Sequence, residues 1–117
     1  MRTIKVAELF AGVGGFRLGL EGYDNPDFPQ FAMGAAGPFQ TVWANQWEPP
    51  GSEGKQFAWR CYEQRFGQGS CVCEDINRVL DDYERGDNRH GIPEEIDMVV
   101  GGFPCQDYSV AKPLSQA

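Results

Sequence analysis

Cys105 is the residue of this 117-residue chain best placed for covalent chemistry. It stands in the segment 101–106, Gly-Gly-Phe-Pro-Cys-Gln, directly after an apolar run at 96–100. The proline restricts the turn, and nearby helix amides or a basic group could favour the thiolate, which is the nucleophilic form of cysteine. Buried structural cysteines are commoner in general, but a turn at the end of a strand favours a nucleophile here.

A glycine-rich segment, residues 10–15 (Phe-Ala-Gly-Val-Gly-Gly), follows the first strand-like run of the chain. Glycines at such a position let the backbone turn tightly and bring free amides close to a ligand. A plain turn from a strand into a helix gives the same pattern. This segment alone therefore leaves nucleotide binding and a structural turn equally open.

Polar and aromatic side chains follow the next two strand-like runs. In parallel-sheet nucleotide sites, a residue at the end of the second strand accepts bonds from the ribose hydroxyls, and here it could be Gln46 or Glu48. Trp47 offers a flat face for an adenine ring, although a core tryptophan would look the same in sequence. Asp75, after the third run, could hold an exocyclic amine or cap the next helix, and the two roles are compatible.

The elements that must position these residues alternate along the chain. Strand patterns at 4–9, 39–45, 70–73 and 96–100 are separated by helical patterns at 15–21, 55–66 and 77–85. This order predicts an α/β fold with a parallel sheet of about four strands and flanking helices, with ligands at the carboxyl ends of the strands. Residues 22–38 are rich in Gly, Pro and Asp without periodicity, which predicts a loop insertion.

Composition narrows the class of protein. With 41% hydrophobic and 13% aromatic residues, the chain is predicted to be globular and to form one domain. Ten basic against seventeen acidic residues give a net charge of −7, so the chain alone is a poor match for nucleic-acid phosphates. No signal peptide and no apolar run of about 18 residues is visible, so we expect a cytoplasmic protein without a membrane anchor.

The cysteines do not form a recognisable metal or disulfide pattern. Cys71 and Cys73 have the spacing Cys-x-Cys, but no second pair completes a zinc site, so we expect free thiols and no metal.

Together, four segments resemble a known family. Residues 10–17, 45–48, 74–76 and 102–109 are similar, in the family's order, to the first four motifs of the DNA cytosine-5 methyltransferases. The combination of Phe-Ala-Gly-x-Gly-Gly with a distant Gly-Phe-Pro-Cys-Gln is highly specific. The resemblance runs from about residue 4 to the end of the chain, apart from the insertion at 22–38. It implies a Rossmann-like, S-adenosylmethionine-dependent methyltransferase fold.

The resemblance also assigns residues to the cofactor. The first motif would surround its methionine part, the second its ribose and adenine, the third the adenine edge, and the fourth the sulfonium region. In that order the implied residues are Phe10, Gly12, Val13 and Gly15; Gln46 and Trp47; Asp75 and Ile76; and Gly102 and Pro104.

The family chemistry implies that the Cys105 thiolate adds to C6 of a cytosine flipped out of double-stranded DNA, which lets C5 take the methyl group. Gln106 and Ser109 would begin the mobile loop that closes on the DNA. One departure concerns Gln46, because the family usually has a glutamate there. An amide oxygen can accept a hydroxyl bond without charge assistance, so we expect weaker ribose binding.

Parts of the family's machinery are not found in these 117 residues. No Glu-Asn-Val segment, which supplies the family's second catalytic group, occurs in the sequence. We therefore expect a truncated N-terminal part of the catalytic domain, inactive alone, rather than a natural split subunit, and we expect it to require the C-terminal part or a complementary subunit. Two further readings remain: a transfer-RNA cytosine-5 methyltransferase with DNA-type motifs, and a non-catalytic S-adenosylmethionine-binding module.

Overall fold

A computed structural model describes residues 2–49 and 55–102 of the chain. Its elements, in chain order, are β1 (Ile4–Leu9), α1 (Gly15–Glu21), a 3-10 helix (Pro29–Phe31), β2 (Phe39–Ala44), α2 (Phe57–Phe66), α3 (Ile76–Glu84) and β3 (Met98–Gly101).

The three strands form one parallel sheet in the order β2-β1-β3. β1 lies in the middle, and its residues Val6, Ala7 and Glu8 are buried. The pairing with β2 shifts register between Val6 and Ala7. The α/β class with a parallel sheet and flanking helices is thus confirmed, and it is consistent with an incomplete Rossmann-like methyltransferase fold.

The strand predicted at 70–73 is reduced to a single bridge. Only Val72 pairs, in parallel with Asn45 at the end of β2. The Asn45 side chain then donates to the carbonyl oxygen of Glu74 at 2.7 Å, where a longer ladder would use a backbone N–H. Since α3 begins two residues later, at Ile76, no room is left for a ladder. The described part of the chain therefore has three strands where the sequence predicted four.

Two apolar clusters cover the two faces of the sheet. Tyr62 of α2 is fully buried against Ala11, Ala44 and Cys71, with Trp59 and Phe66 partly buried around them. On the other face, Val79 of α3 packs with Ala7 and Trp43. Burial of these faces, rather than local helix propensity, holds the short helices α2 and α3 in place.

β3 is more exposed than its apolar sequence suggested. The apolar run at 96–100 is typical of a buried strand, but Val99 is 62% exposed. Within the described residues β3 packs chiefly on β1, so the side of the strand that carries Val99 has little cover.

Residues 22–38 form a largely exposed excursion between α1 and β2. Tyr23 and Met33 make an antiparallel bridge, and the Ala36 N–H donates to the Leu20 carbonyl at 3.0 Å. That this excursion is an insertion stays a prediction. In the part of the chain that the structure describes, no helix has the length and apolar character needed to cross a membrane.

Candidate cofactor site

The glycine-rich segment forms a tight loop between β1 and α1. Gly12 and Gly14 have φ values of 58° and 94°, in the left-handed region that glycine tolerates best. The Ala11 N–H donates to the Asn45 carbonyl at 3.0 Å, which fastens the loop to the end of β2. Gly14 is the N-cap of α1, so the loop leads directly into the helix amides.

A cleft of about 500 Å³ opens beside this loop, at the carboxyl ends of β1 and β3. Phe10, Gly15 and Gly102 line it together with Phe16 and other residues of α1. A methyl group added at Gly15 or Gly102 would meet no described atom within 4 Å, so both glycines face open space. The structure thus brings together three of the predicted cofactor residues from both ends of the chain.

A second cavity, of about 570 Å³, lies between the end of β2 and the start of α3. Trp47 and Asp75 both line it, together with Glu74, while their roles toward a cofactor stay predictions. Asp75 also caps α3, because its Oδ1 accepts from the Asn77 N–H at 2.9 Å. The capping role is therefore confirmed, and a second role toward a ligand stays a prediction.

Gln46, and not Glu48, reaches the glycine-rich loop. Its Oε1 accepts a hydrogen bond from the Gly12 N–H at 2.8 Å. Glu48 turns to α2 instead, where its Oε1 accepts from the Ala58 N–H at 3.1 Å. Of the two acceptors considered from the sequence, only Gln46 contacts the loop.

The other predicted residues fall into two groups. Val13 is 54% exposed on the loop, and Ile76 is partly buried against the α3-side cluster around Val79; neither of them lines the two cavities just described. The remaining predictions lie outside the described residues: Pro104, Cys105, Gln106 and Ser109.

A buried polar network joins β1, α1 and α2 next to the glycine-rich loop. Glu8 of β1 is fully buried, and its Oε1 accepts from the Tyr62 hydroxyl at 3.0 Å. Arg17 of α1 approaches the same hydroxyl at 3.4 Å and lies 4.4 Å from the Phe66 ring centroid. No functional role for Glu8 or Tyr62 was predicted from the sequence. The signal that could have indicated a buried polar network is a carboxylate, Glu8, within an apolar strand.

Burial controls the ionisation of this network. It raises the pKa of the Glu8 carboxyl, although the Tyr62 hydroxyl and the Arg17 charge partly oppose it. Burial also raises the pKa of Tyr62, so the phenol stays protonated and acts as a donor. Glu8 Oε2 is buried without a hydrogen-bond partner in the described structure, while Oε1 accepts from Tyr62. The backbone N–H groups of Arg17 and Phe16 also lower the pKa of this carboxyl.

Replacing Tyr62 by phenylalanine is therefore expected to destabilise the protein by about 1–3 kcal/mol, since it removes a donor from a buried carboxyl. The free energy of unfolding, measured by urea denaturation, checks this. Tyr83→Phe is the matched control, because Tyr83 is 47% exposed and should change stability by less than about 0.5 kcal/mol. Equal stabilities of the two variants would contradict the role of Tyr62.

Two of the described cysteines, Cys71 and Cys73, are poor nucleophiles. Burial raises the pKa of Cys71 to about 12, and burial together with nearby Glu74 raises that of Cys73. Cys61 is exposed on α2. Among the residues the structure describes, no group of three or more histidine, cysteine or acidic side chains is arranged to hold a metal ion.

The sheet order and the cleft at its carboxyl edge define a Rossmann-like α/β domain. The sequence is more specific: residues 4–116 match the profile of the C-5 cytosine-specific DNA methylases. The chain belongs to this family.

The similar proteins are bacterial type II methyltransferases. M.Sau3AI of Staphylococcus aureus is 50% identical over 115 residues, which are 98% of this chain and 23% of that protein. M.HhaI of Haemophilus parahaemolyticus is 32% identical over 92% of this chain and 23% of its own length, and M.Bsp6I of Bacillus sp. (strain RFL6) is 31% identical over 92% and 25%. The chain thus spans about a quarter of these relatives. No solved structure gives a significant match.

Proposed function

We propose that this chain supplies the cofactor site and the nucleophile of an enzyme that methylates C5 of cytosine in DNA. The observation that carries the proposal is the cleft in which Phe10, Gly15 and Gly102 meet at the carboxyl ends of β1 and β3. In open parallel sheets this edge is where nucleotide-like ligands bind. Membership in the C-5 cytosine-specific DNA methylase family gives the reaction.

The described residues fit S-adenosylmethionine. The cleft beside the glycine-rich loop is open at Gly15 and Gly102, so an amino-acid moiety can approach the backbone closely. The cavity at Trp47 and Asp75 offers an aromatic face and a carboxylate, which suit the π face and the amino group of adenine. Gln46, next to Trp47 in the chain, accepts from the Gly12 N–H of the glycine-rich loop, although neither Gln46 nor Gly12 lines either cavity. The cofactor would supply an electrophilic methyl group.

Cys105 would make the target carbon reactive. Its thiolate adds to C6 of the cytosine, and the new S–C6 bond places electron density on C5. C5 then takes the methyl group as the sulfonium S–CH₃ bond breaks and S-adenosylhomocysteine leaves. A base removes the C5 proton, and elimination of the Cys105 thiolate restores the aromatic ring. The cytosine must leave the base stack for this attack, since C6 is inaccessible within a duplex. Gln106 and Ser109 would lie in the loop next to the flipped base.

The names and lengths of the relatives support a substrate for the enzyme and the presence of further parts. Their names describe type II methyltransferases, which supports double-stranded DNA as the substrate and a bacterial restriction-modification system as the setting, in the cytoplasm. The chain covers about a quarter of those proteins, and its net charge is −7. We therefore propose that further polypeptide, in the same chain or another subunit, brings the basic DNA-binding surface.

Trp47 gives a direct test of cofactor binding. S-adenosylhomocysteine is expected to quench Trp47 fluorescence, and Trp47→Ala should weaken binding about 5- to 150-fold, because stacking on a nucleobase contributes about 1–3 kcal/mol. Isothermal titration calorimetry measures the affinity.

Trp59→Phe is the control variant for this experiment. Trp59 packs against the α2-side cluster and donates to the Cys71 carbonyl at 2.8 Å, so the substitution should leave both quenching and affinity in place. An unchanged calorimetric affinity of Trp47→Ala would refute the assignment of Trp47 to adenine.

A further inference from the structure

The orientation of the Gln46 amide is fixed by its partner. Oε1 lies 2.8 Å from the Gly12 backbone nitrogen, and a backbone N–H can only donate. The oxygen of the amide must therefore face Gly12. Within the described residues, nothing accepts a hydrogen bond from the Gln46 Nε2 group.

This orientation distinguishes glutamine from glutamate at the same place. A carboxylate could accept the Gly12 N–H with one oxygen and a ligand hydroxyl with the other. Gln46 can make the same bond to Gly12, but the second group that it presents is an NH₂, which only donates. A ribose hydroxyl can donate or accept, so it can pair with either side chain, but in opposite senses.

We propose that Gln46 binds a ribose hydroxyl of the cofactor as a donor, through Nε2, so that the hydroxyl serves as the acceptor. This inference rests on the proposed function, because it assumes that the cofactor ribose lies at the end of β2. Gln46 then has two simultaneous roles. It holds the glycine-rich loop through Gly12, and it selects ligands whose ribose offers an acceptor at this position.

Two features of the site support the proposal. Gln46 directly precedes Trp47, which lines the second cavity, and its bond to Gly12 reaches the loop whose residues Phe10 and Gly15 line the first cleft. A ribose that joins a methionine moiety in the first cleft to an adenine in the second would pass close to this side chain. Glu48, the nearest alternative acceptor along the chain, is already bonded to the Ala58 N–H at the start of α2. In the described structure the Gly12 N–H is therefore bonded to the Gln46 oxygen and not to a carboxylate, which leaves the Gln46 NH₂ as the group that can face a ligand.

The test compares S-adenosylhomocysteine with its 2′- and 3′-fluoro-deoxy analogues. Fluorine cannot donate a hydrogen bond but can weakly accept one. The unaltered protein should lose less than about threefold in affinity for the fluoro analogue at the hydroxyl that Gln46 binds. Gln46→Glu should lose about tenfold or more there, because its carboxylate loses a donor and faces the fluorine dipole.

Asp75→Asn is the matched control, since it also exchanges a carboxylate and an amide and keeps the oxygen that caps α3. It should change the affinity for parent and fluoro ligands by the same factor.

Each outcome has a separate meaning. Equal fluoro-to-parent affinity ratios in the unaltered protein and Gln46→Glu, at both hydroxyls, would overturn the donor assignment. A loss of affinity for the fluoro analogue that is larger in the unaltered protein than in Gln46→Glu would mean that the second lone pair of Oε1 accepts from the ribose. That result would also overturn the donor assignment. Failure of the unaltered protein to bind S-adenosylhomocysteine at all would instead contradict the proposed function.

Discussion

Replacing Cys105 by serine is expected to lower methyl transfer to DNA cytosine by at least about a thousandfold, because a serine hydroxyl is not ionised near neutral pH and adds poorly to C6. The assay uses the chain together with the further polypeptide that we propose completes the enzyme. Transfer of a radiolabelled methyl group from S-adenosylmethionine to a DNA duplex measures the rate. Affinity for S-adenosylhomocysteine should be nearly unchanged, since the substitution removes chemistry rather than cofactor contacts.

Cys61→Ser is the control for the Cys105 variant. Cys61 is an exposed thiol on α2 that lines neither of the two cavities, and its replacement should leave the rate within about twofold. Retention of turnover by Cys105→Ser, or its loss in Cys61→Ser alone, would mean that the nucleophile has been misassigned.

Alanine at Gly14 is expected to destabilise the domain by about 2–4 kcal/mol, from left-handed backbone strain together with overpacking. Gly14 has a φ of 94°, and an added Cβ would clash with Phe66 Cε2 and lie 3.2 Å from Tyr62 Cε2. The Phe66 ring cannot withdraw easily, because Arg17 lies 4.4 Å from its centroid and the Tyr62 ring centroid is 4.7 Å away. Urea denaturation measures the free energy of unfolding.

Gly15→Ala separates loop stability from ligand binding. Gly15 is the first residue of α1, and an added Cβ meets no described atom within 4 Å. Stability should stay equal or rise by up to about 1 kcal/mol, because alanine favours the helix. The methyl group would enter the cleft, however, so affinity for S-adenosylhomocysteine should fall about tenfold. Similar unfolding free energies for Gly14→Ala and Gly15→Ala would contradict the packing described here.

The sequence predicted those parts of the fold whose patterns are local. Apolar alternation at residues 4–9 and the glycines that follow gave β1, the loop and α1 nearly to the residue. The rule that parallel strands present their carboxyl ends on one edge agrees with the cleft that Phe10 and Gly102 both line. The prediction of a strand at 70–73 was wrong in extent, because only Val72 forms a bridge, to Asn45. Beyond it, the Asn45 side chain donates to the Glu74 carbonyl.

The contacts that give the site its detail depend on tertiary structure. Gln46 was expected to offer its oxygen to the ribose, which stays a prediction; in the structure that oxygen accepts from the Gly12 N–H, 34 positions earlier in the chain. No rule based on residue spacing in the sequence predicts this bond. The burial of Glu8 against Tyr62 is similar, because it requires α2 to lie over β1. Sequence motifs therefore predicted which segments meet, while the structure assigns their hydrogen-bond donors and acceptors.

Mass spectrometry of a trapped covalent complex tests the central claim most directly. A DNA duplex with 5-fluorocytosine at the target position cannot lose a C5 proton, so the enzyme–DNA adduct should persist after methyl transfer from S-adenosylmethionine. Proteolysis of the complex of the completed enzyme should then yield one peptide cross-linked to the base through Cys105 Sγ. A cross-link to Cys61, or to a cysteine outside this chain, would contradict the account.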